Sequence, residues 1–580
     1  MLQRATSRPQ GHLHWRSGAA AGEVWRLRRD VMDAPVKETT AQKAERLKLE
    51  RNPWAILPDI VRYARHGFDS IAPDDLNLRF RWWGLYTQGD GRGALGGAAP
   101  FFMARIRIPN GFLFAHQVRT IADLAERYAR GVADVTVRQN VQLHWLRIED
   151  VPDVLYTLWR AGLTTIGACG DVTRNLVGCP LAGVDREEIC DASPILLQAN
   201  RMLAGNPEFS NLPRKYKIGI TGCRRWCSSP EINDIGLTGI AHPATGEIGF
   251  SARVGGGLST HPHFGVRLPA FVRWSQALAV VRGITEIFRD SGVLREHRDR
   301  ARLKYLFVGH GWTAETFLEE LTRRIGFALD PDVPETPPPD VYRDHVGIHA
   351  QKQDGLCSAG FAILRGRMTV QDIRTVADLA DRYGDGSVRL TTMQNVVILN
   401  IAAARTPALA QEAAGAGLRL EGSPFWRGTI ACTGSEFCKL AVAETKGFAR
   451  WLVEALEERV PDFDTNLKIH IAGCPNDCGQ HWIADVGLQG AKAKVNGQMV
   501  DAYDVFLGGG LGAEPQFARR VSVRLAAADV PDTLARLLRI YLDGRRIGES
   551  FHAFCRRHTD AELKAHLQPA RVGAEAPGAA

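Results

Sequence analysis

The sequence predicts an α+β protein built from two copies of one ancestral unit, related by internal pseudo-twofold symmetry. The segment "RTIADLAERY" at 119–128 returns as "RTVADLADRY" at 374–383, 255 positions later. The same separation aligns "RQNVQL" at 138–143 with "MQNVVI" at 393–398. Chance does not align two elements and the segment between them without a gap, so a duplication explains the pattern.

Two cysteine loops extend the repeat. "ITGCRRWC" begins at residue 220 and "IAGCPNDC" begins at residue 471, and in both copies a similar strand pattern follows, "INDIGLTG" and "IADVGLQG". Between the copies lies "DPDVPETPPPD" from residue 330. Its prolines predict an extended, semi-rigid connector.

Each copy begins with a strand, helix, strand, helix pattern. In the first copy "FFMARIRIP" alternates like a strand and "VQLHWLRI" alternates again before the helical "VPDVLYTLWRAGL". One helical face between them holds Val118, Ile121, Ala122, Ala125 and Tyr128. This order resembles a ferredoxin-like split βαβ unit. A helix such as "LAVAETKGFARWLVEALEERV", a strand such as "LKIHIAG" and a cysteine loop follow.

Composition limits the class of protein. The 580 residues carry a net charge of +8, which favours anionic ligands or acidic partners and is by itself weak support for nucleic-acid binding. No run of 18 apolar residues is present, so we expect a soluble, cytoplasmic protein that does not enter a membrane. Eleven cysteines in a reducing compartment indicate metal binding or chemistry rather than disulfides.

The first 31 residues are rich in Arg and small residues and show little core periodicity. Three interpretations remain open: a disordered tail, a misassigned start with synthesis beginning at Met32, or a targeting segment. Glu23 and Asp30 interrupt the basic amphipathic pattern that a targeting segment needs, which makes that interpretation the weakest of the three.

Four cysteines of the second copy form two pairs. Cys432 and Cys438 stand in "ACTGSEFCKLA", and Cys474 and Cys478 stand in "GCPNDCGQ". Four thiolates suit an iron–sulfur cube, and they also suit a structural zinc ion, although the five-residue gap in the first pair is wider than zinc sites usually have. Packed free thiols are the third interpretation.

Several motifs together resemble the siroheme and 4Fe-4S sulfite and nitrite reductases. They are the two cysteine pairs, the duplication, "FFMARIRIPNG", "VRQNVQLHW", "DVTRN" and "LPRKYKIGI", and the resemblance spans about Asn52 to Phe554. It implies siroheme and a 4Fe-4S cluster as cofactors. It also implies that Cys432, Cys438, Cys474 and Cys478 hold the cluster, with Cys478 bridging it to the siroheme iron.

Basic residues agree with this resemblance, because siroheme carries many carboxylates and its substrates are small oxyanions. Alternation predicts that Arg105 and Arg107 share one face of a strand and that Arg138, Gln142 and His144 share another. A solvated strand edge is the plainer interpretation of such residues. The resemblance assigns tetrapyrrole contacts to Arg138, Gln142, His144 and Arg214.

For the substrate, the resemblance implies four anion-binding cations: Arg105, Arg174, Lys215 and Lys217. Lys at position 217 is typical of the sulfite reductases, whereas the nitrite reductases usually carry Asn there. The stretch "CPNDCGQHWIADVGLQG" is similar to the nitrite enzymes. The predicted reaction is therefore the six-electron reduction of sulfite to sulfide, with reduction of nitrite to ammonia as the alternative.

Electrons must come from outside, because no flavin or nicotinamide fingerprint is convincing. A small acidic ferredoxin suits the basic balance of the chain, and a flavoprotein subunit is the second candidate donor. We expect a monomer with no nucleic-acid partner. Two more distant alternatives are a relative that acts in corrinoid biosynthesis and a four-thiolate zinc protein that binds RNA.

Cysteines of the first copy raise two further questions. Cys179, Cys223 and Cys227 align with three of the four cluster cysteines, and the fourth position falls at Val184 or Asp185. We expect these thiols to pack as small apolar residues, with a second cluster as the alternative. Separately, some relatives join a Tyr and a Cys covalently near the substrate pocket. Tyr86 and Cys169 are the candidates here, and we expect a plain packed thiol at Cys169.

The predicted domain organisation combines two ferredoxin-like half-domains with two mixed α/β domains for siroheme and the cluster. The predicted segments are a disordered N-terminal extension at 1–50, a first ferredoxin-like half at 51–170, a first siroheme and substrate domain at 171–329, a Pro-rich linker at 330–343, a second ferredoxin-like half at 344–427, and a cluster and siroheme domain with a C-terminal tail at 428–580.

Overall fold

A computed structural model describes residues 38–568 and confirms the α+β class and the internal duplication. The described helices are α1 (Thr40–Glu50), α2 (Leu57–His66), α3 (Pro73–Asn77), α4 (Ala115–Tyr128), α5 (Val151–Arg160), α6 (Ser193–Leu203), α7 (Ala277–Asp290), α8 (Tyr305–Gly309), α9 (Ala314–Ile325), α10 (Val370–Tyr383), α11 (Thr406–Gly415), α12 (Pro424–Gly428), α13 (Lys446–Arg459), α14 (Val530–Gly544), α15 (Phe551–Arg557) and α16 (Asp560–Leu567). Four five-stranded sheets, two for each copy, lie among them.

Two of the sheets belong to the ferredoxin-like halves. Their strands are β1 (Leu85–Gly89), β2 (Ala98–Ile106), β3 (Phe112–Phe114), β4 (Val132–Val135), β5 (Val141–Leu146), β11 (Gly347–Ala350), β12 (Leu356–Phe361), β13 (Arg367–Thr369), β14 (Ser387–Leu390) and β15 (Val396–Ala402). The orders are β1-β2-β5-β4-β13 and β11-β12-β15-β14-β3.

The two half-domains exchange a strand. The short β13 of the second copy pairs antiparallel with β4 of the first, and β3 of the first copy pairs antiparallel with β14 of the second. Each exchanged strand covers backbone groups that would otherwise form an open sheet edge. The exchange therefore makes the two halves one structural unit.

Helices α4 and α10 pack against each other on this unit and show the pseudo-twofold relation directly. Arg119 on α4 lies 2.8 Å from Asp378 on α10, and its counterpart Arg374 lies 2.9 Å from Asp123. These pairs are solvent-exposed and contribute little stability. Beneath them, apolar side chains of both helices and both sheets form one continuous core.

The other two sheets carry the cysteine loops. Their strands are β6 (Ile218–Thr221), β7 (Ile235–Ala241), β8 (Ile248–Val254), β9 (Val266–Arg273), β10 (Asp330–Pro331), β16 (Thr429–Ala431), β17 (Ile469–Ala472), β18 (Val486–Val495), β19 (Gln498–Leu507) and β20 (Arg519–Ala526). The orders are β10-β9-β8-β7-β6 and β16-β17-β18-β19-β20. In each sheet the strand before the main cysteine loop is parallel to the next strand, β6 to β7 and β17 to β18. In the second sheet β16 is also parallel to β17, and the other pairings in both sheets are antiparallel.

The prediction of a disordered extension over 1–50 is wrong for residues 38–50. Thr39 caps α1, and the buried Ala41, Ala44 and Leu47 pack against the rest of the protein. The Lys48 ammonium is also buried, and it donates to the Leu212 carbonyl at 3.0 Å. Residues 1–37, which include both candidate start sites, lie outside the described residues.

Two other boundaries differ from the sequence expectation. The helix predicted from about residue 440 begins only at Lys446, because the Glu444 carboxylate accepts from the backbone amides of Gly447 and Phe448 and so starts the helix there. The proline-rich linker is packed against the protein rather than free in solvent. Its first residues form β10, and its Val333 is buried.

Candidate functional site

Cys432 and Cys474 lie at one edge of the second cysteine sheet. Each follows the end of a strand, and the two strands β16 and β17 are parallel neighbours, so their carboxyl ends meet at that edge. The Cys432 amide donates to the Ile471 carbonyl at 3.1 Å, and the Gly473 amide donates to the Cys432 sulfur at 3.2 Å. Backbone hydrogen bonds therefore fix the two loops against each other.

Cys438 lies on a tight turn beside this edge. Its amide donates to the Gly434 carbonyl at 2.9 Å. Gly434 has φ +66°, and a Cβ atom there would stand 2.5 Å from the Thr445 hydroxyl, so the turn requires glycine. The fourth thiol, on Cys478, is exposed.

Within the described residues, these four thiols do not form a group compact enough for a single zinc ion. Thiolates that bind a single zinc at about 2.3 Å stand about 3.8 Å apart. Within residues 38–568, the one group of three or more His, Cys, Asp or Glu ligand atoms that lie within 4.8 Å of one another is Cys179, Cys227 and His345. The second-copy thiols are more widely spaced and fit a polynuclear group such as an iron–sulfur cube.

The protein surroundings alone do not favour thiolates at this site. Burial raises the pKa of Cys432 to about 12 and the pKa values of Cys438 and Cys474 to about 11, and the neighbouring Cys478 adds to each shift. Thiolates here need a bound cation to offset their charge, and metal ions supply one. The donor set therefore fits a metal cluster.

The four predicted substrate cations converge on the Cys478 side of the cysteine edge. Burial lowers the pKa of Lys215 to about 8 and takes the pKa of Lys217 well below its usual range, while the nearby Cys478 sulfur opposes both shifts. Although burial also acts on Arg105, its pKa rises because Cys169, Tyr86 and Cys478 lie close to it.

Two of these cations are held by hydrogen bonds, and two keep their donors available. Arg105 donates to the Cys169 sulfur at 2.9 Å, and Arg174 donates to the Gly170 carbonyl at 3.0 Å. Among the described residues, neither the Lys215 nor the Lys217 ammonium has a hydrogen-bond partner. All four side chains are partly exposed to solvent, so an anion can reach the space between them, which we call the cationic cavity.

The predicted tetrapyrrole residues separate into two groups. Arg138 donates to the Asn233 side chain at 3.0 Å, and burial lowers its pKa to about 9, with Arg174 and Arg302 adding to the effect. Arg214 lies 3.4 Å from Asp171 at the same cavity. Such a crowd of cations is suited to the carboxylates of a tetrapyrrole.

Gln142 and His144 lie on β5, on the half-domain side. Gln142 is buried opposite Arg105 in the sheet register. His144 has no exposed surface: its ring stacks on Phe437 at 3.9 Å and its Nε2 stands 3.3 Å from Asp134. The structure therefore places His144 between the half-domain sheet and the Cys438 turn, not on the open cavity. Arg138 precedes the strand, so the three residues do not share one strand face as predicted.

Sequence reasoning also misplaced Arg107 and missed Arg302. Arg107 follows the end of β2, is buried, and donates to the carbonyls of Gly167 and Thr173 at 3.0 and 2.8 Å, so it supports the loop that carries Arg174. Arg302 pairs with the buried Asp234 at 2.8 Å. The only signal for this pair was the position of Asp234 within the repeated "INDIG" stretch.

The first-copy cysteines gather away from this cavity, as part of an apolar cluster with Leu181 and Val397. A histidine from beyond the linker joins them: His345 Nε2 lies 3.2 Å from the Cys227 sulfur. Neither residue at the aligned fourth position supplies a further thiol or joins this ligand group. Val184 packs in the apolar cluster, and the Asp185 carboxylate accepts from the Glu187 amide at 3.0 Å.

Two further features concern the helices and the cysteines. Within residues 38–568, no helix combines the length and apolarity needed to cross a bilayer. All eleven cysteines lie in the described range, and all are free thiols.

A four-thiol cluster site beside a cation-lined cavity, on a duplicated α+β fold, defines an iron–sulfur redox protein that handles a small anion. The family model for the nitrite and sulphite reductase 4Fe-4S domain matches residues 169–329 and 423–553. The model for the nitrite/sulfite reductase ferredoxin-like half domain matches residues 97–158 and 349–416. The chain belongs to the nitrite and sulfite reductase family, and it is an oxidoreductase with siroheme and a 4Fe-4S cluster as cofactors.

Named relatives of both substrate types resemble the chain equally well. An assimilatory ferredoxin-dependent nitrite reductase from Haloferax mediterranei is 37% identical, over 93% of this chain and 95% of the relative. Sulfite reductase (ferredoxin) 1 from Mycolicibacterium paratuberculosis is 38% identical, over 90% of this chain and 95% of the relative. The solved structure of the NirA protein of Mycobacterium tuberculosis superposes with a TM-score of 0.85 at 35% identity, covering 92% of this chain and 99% of that one.

Proposed function

We propose that this protein reduces sulfite to sulfide with six electrons delivered by ferredoxin. The observation that carries the choice of sulfite is Lys217, whose ammonium lines the cationic cavity without a hydrogen-bond partner among the described residues. Sulfite has one more oxygen than nitrite, and its double negative charge would stabilise the Lys217 ammonium against the burial that lowers its pKa, so an additional lysine suits this larger anion. Relatives named for either substrate match at similar identity, so the choice rests on this residue.

The cluster ligands in this proposal are the four second-copy cysteines. Cys432, Cys438 and Cys474 would hold the cube at the sheet edge, and the exposed Cys478, which lies near Arg105, Lys215 and Lys217, would be the ligand on the siroheme side. When bound, siroheme supplies the iron to which the substrate binds and through which electrons reach it. Arg138, Gln142 and Arg214 would contact the tetrapyrrole, and His144, which stacks on Phe437, would support them indirectly.

Arg105, Arg174, Lys215 and Lys217 bind the anion, and the two lysines can also provide protons. Their charges offset those of the oxyanion, and because the site is partly buried these interactions are stronger than in bulk solvent. Conversion of sulfite to sulfide releases its three oxygens as water, so protons must reach each departing oxygen. The Lys215 ammonium, with a pKa lowered by burial to about 8, can give up its proton near neutral pH and regain it.

Ferredoxin is the proposed electron donor because the chain carries a net charge of +8 and the relatives above are named as ferredoxin enzymes. Lys439 follows Cys438 directly and places a cation next to the cluster site. A flavoprotein donor is the alternative. We also expect a cytoplasmic monomer without a nucleic-acid partner.

Rates with sulfite and with nitrite, using reduced viologen as donor, test the proposal. We expect a higher kcat/KM for sulfite, and we expect Lys217→Asn to lower it by about tenfold or more while nitrite reduction falls less. Lys468→Asn is the matched control, since Lys468 holds the equivalent position in the second copy and pairs with Asp340. A wild-type preference for nitrite would assign the nitrite function instead, and an equal loss for both substrates would show that Lys217 does not select sulfite. Well-loaded protein without a siroheme absorption band would contradict both.

A further inference from the structure

The first-copy cysteines form a second cluster of metal-ligating groups with no role in the proposed reaction. The ligand atoms of Cys179, Cys227 and His345 all lie within 4.8 Å of one another, and all three residues are buried. Cys223 stands beside them, where its sulfur accepts the Cys227 backbone amide at 3.3 Å. Three thiols and one imidazole therefore meet in one buried place.

Simple packing accounts for the thiols but not for the imidazole. The surrounding side chains are apolar, among them Leu181, Val397 and Leu399. His345 is 5% exposed in this cluster, and it reaches the site through a left-handed backbone conformation, φ +57°, which is costly for a residue with a side chain. The ring is thus held against the Cys227 sulfur by the fold itself.

The spacing suits one metal ion. In a tetrahedral zinc site, bonds of about 2.3 Å to sulfur and 2.0 to 2.1 Å to nitrogen put sulfur and nitrogen about 3.5 Å apart and two sulfurs about 3.8 Å apart. The sulfur of Cys227 and Nε2 of His345 are 3.2 Å apart, so a small adjustment completes the geometry. The second-copy thiols do not form such a compact group.

We propose that Cys179, Cys223, Cys227 and His345 bind a structural zinc ion. Three thiolates and an imidazole are a common closed zinc set, and a change of side-chain rotamer brings Cys223 into the fourth position. The thiols come from the first copy, and His345 comes from the segment that opens the second. The ion therefore fastens the end of the linker to the first cysteine loop.

The residue next to His345 makes hydrogen bonds that a bound zinc ion would help to keep in place. Asp344 accepts from Arg427 at 2.7 Å, and its carbonyl accepts from the Asn395 amide at 3.1 Å. Asn395 lies in the repeated "QNV" turn, and Arg427 lies just before β16, whose end carries Cys432. The zinc site thus lies one residue away from contacts that reach the working cluster.

Metal analysis of the full-length holoenzyme tests the proposal. We expect about one zinc per chain in addition to the iron of one siroheme and one cube. Cys227→Ser and His345→Gln should each lower the zinc content at least fivefold. His345→Cys should retain zinc, because a fourth thiolate can take the place of the imidazole. Cys190→Ser is the matched control, since Cys190 lies against the same loop at Gly222 but outside the ligand group.

Two results would overturn the proposal. One is wild-type protein without stoichiometric zinc. The other is extra iron and sulfide that disappear in Cys227→Ser, which would indicate a second iron–sulfur cluster. If the variants do not fold, X-ray absorption at the zinc edge of the wild-type enzyme decides the question. Sulfur neighbours at about 2.3 Å support the site, and a shell of oxygen and nitrogen alone contradicts it.

Discussion

Gln139 and Gln394 make the same hydrogen bond from opposite halves of the molecule. The Gln139 side-chain amide donates to the Leu390 carbonyl at 2.9 Å, and the Gln394 amide donates to the Val135 carbonyl, also at 2.9 Å. Leu390 and Val135 are themselves equivalent positions of the repeat. The repeated "QN" turns therefore join each half-domain to the other.

Each glutamine also accepts a hydrogen bond from the backbone amide of the residue before a cysteine. The Gln139 side-chain oxygen accepts the Gly178 amide at 3.1 Å, and the Gln394 oxygen accepts the Ala431 amide at 3.2 Å. Gly178 precedes Cys179, and Ala431 precedes Cys432. The same contact thus positions a first-copy thiol in one half and a cluster ligand in the other.

Replacing these glutamines should separate a structural effect from an effect on the cluster. Gln139→Leu and Gln394→Leu each leave buried backbone groups unpaired, so each should lower the free energy of unfolding by about 1 to 3 kcal/mol. Only Gln394→Leu should also lower cluster iron and labile sulfide, because only Ala431 adjoins a cluster ligand. Equal iron loss in both variants would show that these glutamine hydrogen bonds affect the cluster only through the stability of the fold.

The buried Lys48 predicts a role for α1 in forming the cavity. Its ammonium donates to the Leu212 carbonyl at 3.0 Å and lies 3.7 Å from the buried Asp171, three residues before Arg174. Lys48→Met removes one of the positive charges that offset the buried Asp171 carboxylate. We therefore expect the free energy of unfolding to fall by about 2 kcal/mol or more, and the KM for the anion to rise. Lys43→Met, which removes an exposed ion pair with Asp74, should change neither. An unchanged KM in Lys48→Met would contradict this role.

Asp485 predicts a pH-dependent contribution to stability. Burial raises its pKa to about 6, and Asp340 adds to the shift while Lys468 opposes it. Between about pH 4 and pH 6 the folded protein keeps a proton that the unfolded chain releases, so this group's stabilisation is present below that window and lost as the pH rises through it. Relative to Asp485→Asn, the wild type should lose about 1 kcal/mol or more between pH 4.5 and about 7. Denaturant unfolding at several pH values measures the difference, and a constant difference would refute the prediction.

Cys169 should be a free thiol in the purified enzyme. Its sulfur accepts a hydrogen bond from Arg105 at 2.9 Å, and burial raises the pKa of the nearby Tyr86, which keeps the phenol protonated. Peptide mass spectrometry of active enzyme should therefore find both residues unmodified. A single species that contains both peptides would instead show a covalent bond between them.

Patterns in the sequence were sufficient for the repeat and for the half-domain elements, whereas the roles of the cavity residues stay predictions. Sequence patterns were not sufficient where the contact is remote or the element short. His345 lies 118 positions from Cys227 and has no ligand spacing around it. The exchanged strands β3 and β13 span three residues each, too few for an alternating pattern. The α1 segment is charged along its length, and only the structure shows that ion pairs permit Lys48 to be buried.

The strand exchange has a consequence for synthesis on the ribosome. The first half-domain sheet needs Arg367–Thr369 beside Val132–Val135, so the nascent chain must wait for more than two hundred further residues before that edge is covered. Until then the growing polypeptide exposes an open sheet edge, which is a site of aggregation. Two identical copies of the single repeat unit, each supplying one strand to the other, could form the same pair of sheets. In the present chain both strands are in one polypeptide, so the two copies can differ in sequence without losing the pairing.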